Sequence, residues 1–208
     1  MVTAHYPEGL PLMDYLSIEQ EMVKTIVEPT LFTWIVAPTV IYGRHQDVAA
    51  EVNEAYCREH GIQVVQRKSG GGCVYADEGN LMISFVTPDT HSEQVFASFL
   101  KQVATALQAR GLEAVTTAHN DILVDGKKIS GWACYTSSTG TIVHGTLLYE
   151  VNIEALTRAI TPSAEKLHKH GVASVRQRVV NLSEISTAFP TIHALRAYLE
   201  TALSAATR

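Results

Sequence analysis

Cysteine is scarce in this chain, and its placement excludes as much as its number does. Cys57, Cys73 and Cys134 are widely spaced, odd in number, and form no C-x-x-C pair. The pattern suggests neither a disulfide framework nor a zinc site, and a reducing cytoplasm suits it best. Positive charge is also in deficit: 16 lysines and arginines face 21 aspartates and glutamates, a formal net charge of −5. A general nucleic-acid binder is therefore not expected, although a local basic pocket remains compatible. No stretch approaches the roughly 20 apolar residues of a membrane span. Met1 to Pro11 lacks the basic and apolar regions of a signal peptide. Repeats, low-complexity segments and long linkers are missing too, so one domain over residues 1–208 is the simplest reading. What is there is ordinary globular composition, 46% hydrophobic and 18% charged, in a chain long enough for a sizeable core.

The most informative stretch is Gln66-Arg67-Lys68-Ser69-Gly70-Gly71-Gly72-Cys73-Val74-Tyr75. It follows an apolar run, Ile62 to Val65, that reads as a buried strand, and precedes a second, Leu81 to Val86. Three successive glycines strip every Cβ from one turn, so a ligand can lie against the backbone with amide N–H groups facing an anion. Arg67 and Lys68 bring positive charge beside it. An ordinary flexible turn with two solvated bases would look the same. The stretch is neither G-x-G-x-x-G nor G-x-x-x-x-G-K-[ST], and a strand rather than a helix follows, against a dinucleotide fold or a P-loop.

Along the rest of the chain, Asp14 to Glu28 reads as a helix with Tyr15, Ile18, Met22 and Ile26 on one face. Leu31 to Ala37 and Val40 to Tyr42 read as strands. Asp47 can cap a helix over Val48 to Glu59, and Ser92 the longest helix, Glu93 to Arg110, with the stripe Val95, Phe96, Phe99, Val103 and Leu107. A β region follows, with Glu113 to Thr116 as a short strand. Asp125-Gly126 is a strong two-residue hairpin signal between Ile122-Leu123-Val124 and a return strand from Lys128 to Ala133. Ser137 to Gly140 turns into a strand over Thr141 to Tyr149. Ile153 to Ile160 and Thr191 to Ala205 read as helices. Pro162 to Val175, with Lys166, His168, Lys169 and His170, reads as a loop or broken helix. Helix-bounded strands early and consecutive hairpins late favour an α+β fold over a doubly wound sheet.

Three polar islands interrupt the apolar pattern: Arg67 to Tyr75, Asn120-Asp121 with Lys128, and His144-Gly145. With Asp125-Gly126 as the turn, Leu123 opposes Lys128, so Asp121 and Lys128 share a sheet face, diagonally displaced. Such a pair can position a metal and a phosphate, or be a plain cross-strand ion pair worth tenths of a kcal/mol. Lys127 points to the other face. His144 in an apolar strand reads first as a hydrogen-bonded core histidine, and Cys73 and Cys134 as inert thiols. His168 and His170 lack an obvious third metal ligand.

Taken together, these islands resemble the catalytic domain of lipoate-protein ligases. The family's R-x-S-G-G-G-x-V-[FY]-x-D-x-G-N segment stands here as Arg67 to Asn80. The resemblance extends to Pro38 to Gln46, Asn120-Asp121-Ile122, Lys127 to Gly131, His144 to Leu148, and Ser174 to Leu182, in the family's order and spacing. It implies the biotin/lipoate-ligase α+β fold, with mixed sheets packed against helices, and a two-step reaction. Lipoate and ATP give lipoyl-AMP and pyrophosphate. An acceptor lysine, on a lipoyl domain of a 2-oxoacid dehydrogenase E2 subunit or on a glycine-cleavage H protein, then takes the acyl group. On this resemblance Lys128 is the catalytic residue and Asp121 helps hold Mg²⁺. Arg67, Ser69, Gly70, Gly71, Gly72, Cys73, Val74, Tyr75, Asn80, Asp121 and His144 contact lipoyl-AMP or ATP, and strands such as Leu81 to Val86 line an acyl slot.

Three departures qualify it. The family's usual H-D is Ala76-Asp77. A bulky Trp132 replaces a small residue and is expected to narrow or reshape the acyl slot. The chain ends at Arg208, where many ligases carry a small C-terminal domain, expected here to be absent or supplied by another chain. An octanoyltransferase of the same superfold would need a thiol within Thr116 to Asn120 or at Ser163, and there is none. A biotin ligase would carry a different glycine-arginine signature. A lipoyl-binding protein without turnover would not need an intact Lys128.

Overall fold

The computed structural model describes residues 1–118, 120–160 and 179–205. His119, the loop expected over Pro162 to Val175, Ser163, Arg176-Gln177-Arg178 and most of the Ser174 to Leu182 motif lie outside the described residues.

A five-stranded sheet forms the frame. Its strand order is β1 (Val2–Thr3), β2 (Thr30–Trp34), β6 (Asn80–Thr87), β11 (Thr141–Leu148) and β10 (Ser130–Thr136), with only the β1–β2 pair parallel. Strand alternation sends two sets of side chains to opposite faces. Leu81, Ile83, Val143 and Leu147 pack against the helices α4 (Ser92–Gln108) and α7 (Ile192–Ala205). Phe32, Trp34, Met82 and Ile142 face α1 (Leu12–Thr25). Two three-stranded sheets complete the fold. One has the order β4 (Gln63–Gln66), β3 (Thr39–Tyr42), β5 (Val74–Ala76), and the other β7 (Ala114–Thr116), β8 (Ile122–Val124), β9 (Lys127–Lys128). The remaining helices among the described residues are α2 (Val48–Glu51), α3 (Glu54–Glu59), α5 (Ile153–Ala159) and α6 (Leu182–Ile185). The α+β class and the late hairpins are as expected.

The hairpin turn is as read from the sequence. Asp125 and Gly126 both take positive φ, +50° and +74°, the type I′ requirement, and the register pairs Leu123 with Lys128. Beyond Lys128 the chain changes sheets. Ile129 N–H still donates to Ile122 in the small sheet, while its carbonyl accepts from Leu148 in the large one. One continuous stretch thus serves β9 and then β10, which places Lys128 at the seam.

Four readings need correction. The run Ile62 to Val65 is not a buried strand: β4 sits at a sheet edge, and Gln63, Val64 and Gln66 are exposed. The helix over Val48 to Glu59 is two. Val52 bridges to Ile160, Asn53 N–H donates to Ala159, and the Asn53 side chain accepts from Tyr56 N–H to start α3. Ser92 is not a cap: the carboxylate of Asp89 accepts from His91 N–H just before α4. Helix α1 buries Leu12, Tyr15, Glu19 and Val23, a phase the apolar pattern missed because one of the four is a glutamate.

Candidate active site

A cavity of about 190 Å³ opens on the α1 side of the large sheet, where the seam meets the glycine turn. Its apolar part is formed by Leu12, Leu16, Trp34, Ile41, Met82 and Ala133. Its polar mouth holds Lys128 and Asp121, with Lys128 Nζ 2.8 Å from Asp121 Oδ1. Both side chains are partly exposed, 35% and 21%, so the pair is open to a ligand. Asn120, in the left-handed region at φ +65°, accepts from Trp132 N–H and turns Asp121 toward β9. Gly131 lies directly beside the lysine: a Cβ there would stand in van der Waals contact, 3.6 Å from Lys128 Nζ.

The glycine turn joins β4 to β5 and is held from beneath by Arg67. This guanidinium is buried, and it donates to the carbonyls of Gly70 (2.8 Å from Nη2, 3.2 Å from Nε), Gly72 (2.6 Å) and Ile41 (3.0 Å). Burial draws its pKa below the ordinary arginine value. Drawing the Gly70 carbonyl inward turns the Gly71 N–H of the same peptide the other way, and the Gly70, Gly71 and Gly72 N–H groups have no partner among the described residues. Gly71 has φ +90°, and a Cβ there would sit 3.0 Å from Arg67 Nη2. At Gly70 and Gly72 a Cβ would meet no atom within 4 Å.

A buried relay closes the inner end. His144 Nε2 lies 2.7 Å from Ser69 Oγ and its Nδ1 2.8 Å from Glu19 Oε2. Ser84 donates to the other Glu19 oxygen at 2.5 Å and accepts from the Trp34 indole at 2.8 Å. The relay ties α1, β2, β6, β11 and the glycine turn together with every polar atom matched, as a low-dielectric network requires.

A family model described as the lipoyl protein ligase A/B catalytic domain matches residues 10–204. The chain belongs to that family. Lipoate-protein ligase LplJ of Bacillus subtilis is 38% identical over 88% of this chain and 56% of its own length. The chain spans about half the length of the curated relatives it matches. Among solved structures, a lipoate-protein ligase A bound with ATP superposes with a TM-score of 0.84 at 22% identity, over 98% of this chain and 83% of that one. The bi-partite lipoate protein ligase of Thermoplasma acidophilum, studied with its E2 lipoyl domain, gives 0.82 at 24% identity, over 98% and 81%. These two likenesses show the fold of lipoate-protein ligases.

Within this lipoyl ligase domain, Arg67, Gly71, Gly72, Cys73, Val74, Asp121, Lys128 and His144 all border the cavity. Four expected residues do not. Ser69 lies behind His144 as its hydrogen-bond partner. Gly70 accepts from Arg67 at the turn's base. Tyr75 is buried with Val40 and Leu148 in the core that α3 and α5 cover, since strand alternation gives the cavity to Val74; burial, then Asp77, raises its hydroxyl pKa. Asn80 is fully buried, and neither side-chain amide atom has a partner among the described residues. It shares a sheet face with Met82 two residues on. The expected effect of Trp132 is also corrected. Trp132 borders the cavity, but its indole packs edge-on to Phe99 of α4, 5.8 Å between centroids, and donates to Ser130. The bulk thus lies in the α4-side core. Of the Leu81 to Val86 strand, only Met82 lines the slot. Glu19, Ser84 and Trp34 were missed; a lone glutamate in the buried phase of an otherwise apolar helix face was the available signal for the first.

Proposed function

We propose that this domain forms lipoyl-AMP from lipoate and ATP and passes the lipoyl group to a lysine of an acceptor protein. The observation that carries the reading is the Lys128–Asp121 pair at the mouth of an apolar slot, beside a turn whose glycine amides have no partner among the described residues. The slot suits an aliphatic acyl chain. In the first step a carboxylate oxygen attacks the α-phosphorus and pyrophosphate leaves. The Lys128 ammonium and the turn amides offset negative charge on the phosphate oxygens. In the second step a neutral acceptor amine attacks the acyl carbonyl, AMP leaves, and the amine proton is lost to solvent. Lys128 again stabilises the developing oxyanion.

Mg²⁺ binds through one or two carboxylates plus phosphate oxygens. Asp121 fits the carboxylate part, and no cluster of three ligating side chains occurs among the described residues. When bound, the ion would neutralise phosphate charge. Acceptors of this class are lipoyl domains of E2 subunits and the glycine-cleavage H protein. A cytoplasmic setting agrees with three cysteines that form no disulfide.

Mass spectrometry of an apo lipoyl domain incubated with this chain, lipoate, ATP and Mg²⁺ should find one lipoyl adduct per domain. A bi-partite ligase stands among the structural neighbours, so a parallel reaction supplied with lipoyl-AMP separates transfer from activation. No adduct in either reaction rules the proposal out. An acyl-thioester trapped on Cys73 or Cys134 would favour a transferase instead; burial raises the Cys134 thiol pKa, against that role.

A further inference from the structure

Beside the glycine turn, a shallow depression separate from the slot is bordered by Arg44, Gln66, Arg67, Lys68 and Tyr135. Three of these five residues are cations and none is a carboxylate, in a chain of net charge −5. Arg44 and Lys68 are exposed. The Arg44 guanidinium and the Tyr135 hydroxyl have no partner among the described residues, and Lys68 Nζ has only a 3.4 Å contact with Gln20. The frame beneath them is fixed. Arg44 N–H donates to Ser69, the Arg44 carbonyl accepts from Gln66 Nε2, and Arg67 N–H donates to Tyr42. Nearby carboxylates are engaged: Glu21 with Lys24, Asp47 with Ala49 N–H, and Glu19 with His144.

Arg67 borders both the depression and the cavity, so the cationic patch adjoins the reaction site across a single side chain. Arg44 and Lys68 do not line the cavity, and a small substrate inside it would not reach them. A macromolecule presenting a lysine to the mouth would. Unpartnered donors on a rigid frame attract the opposite charge at long range and fix register on contact.

We propose that Arg44, Lys68 and Tyr135 form a docking surface for an acidic face of the protein acceptor, next to its target lysine. The proposal rests on the ligase reading of the cavity. Its partner is a folded protein surface with carboxylates, and the bound state is held by charge-assisted hydrogen bonds to Arg44 and Lys68.

The test is the Arg44→Glu/Lys68→Glu variant, with Arg44→Gln/Lys68→Gln as a milder control for folding. An apo lipoyl domain is titrated calorimetrically into wild type and variants without ATP or lipoate, so the readout does not depend on chemistry. We expect the domain to bind wild type, with affinity falling as salt rises, and to bind the Glu variant at least about tenfold more weakly, with most of the salt dependence gone. Lipoyl-hydroxamate formation from lipoate, ATP and hydroxylamine, which traps the adenylate the enzyme makes and needs no docking, should be equal in all three proteins. Equal affinity for wild type and the Glu variant, or no binding to wild type, overturns the proposal. So does a raised KM for ATP in pyrophosphate exchange, which would assign the patch to the nucleotide. Absence of hydroxamate from wild type would instead count against the ligase reading.

Discussion

The indole of Trp132 lies across Gly145, its directly opposed partner on β11, where any Cβ would collide with the ring. The His144-Gly145 motif thus has two faces with separate duties: the histidine turns toward the cavity and the glycine makes room for a core tryptophan. Gly145→Ala should displace the indole and destabilise the domain by about 1–3 kcal/mol through overpacking. In a Trp132→Ala background the ring contact is gone but a Cβ would still stand 2.7 Å from the Gly131 carbonyl, so the same change should cost less without becoming neutral, a coupling above about 0.5 kcal/mol in a denaturant double-mutant cycle. Additive losses would mean the contact carries no energy.

Gly71→Val should abolish binding of a non-hydrolysable lipoyl-AMP mimic while the protein stays folded. Valine at φ +90° is strained, and its Cβ would press on Arg67 Nη2, which holds the turn's carbonyls inward. Calorimetric titration decides the point, with circular dichroism as the folding control. Unchanged affinity would reduce the turn to a linker.

Lys128→Ala should slow both half-reactions by about 10²–10³, the usual loss of one preorganised charge-stabilising donor. Lys127 is its chain neighbour, yet it is exposed and does not line the cavity. Lys127→Ala should therefore leave both rates within about twofold, as expected for an exposed charge away from the reacting atoms. Pyrophosphate exchange and transfer from supplied lipoyl-AMP measure the two steps. Equal losses at the two lysines would sink the facing argument.

Glu19→Ala would leave both His144 Nδ1 and Ser84 Oγ without their buried acceptor. A stability loss of about 1–3 kcal/mol for each group left unsatisfied is expected, read as a lower denaturation midpoint. Glu19→Gln keeps one acceptor oxygen and should lose less. A fully stable Glu19→Ala protein would show that the relay contributes nothing.

The sequence made some parts legible because they are local. Asp125-Gly126 demands one turn type, that turn dictates the Leu123–Lys128 register, and the register puts Asp121 beside Lys128. Spatial partners were not legible. Glu19 and His144 are 125 positions apart, and only the packing of α1 over β11 reveals that they meet. Arg67 read as a free cation because the carbonyls that engage it belong to a turn whose curl no local rule specifies. Tyr75 was counted with its motif, although alternation in β5 alone would have turned it away from Val74. Trp132 was misjudged for the same reason: its neighbour Ala133, not the indole, faces the slot.

The seam at Ile129 carries a consequence for how the protein fails. Asp121, just before β8, and one side of Lys128 go with the small three-stranded sheet, while the slot belongs to the large one; the backbone of Ile129 serves both, with Trp132 N–H on Asn120 and Ile122 N–H on Ser130 as further ties. Local openings cost less than global unfolding, and short peripheral strands open first. Fraying of β7 to β9 would therefore carry the Lys128 ammonium away from a slot that the large sheet still holds intact. Inactivation on warming would then precede the loss of secondary structure, and the colder protein would recover without refolding.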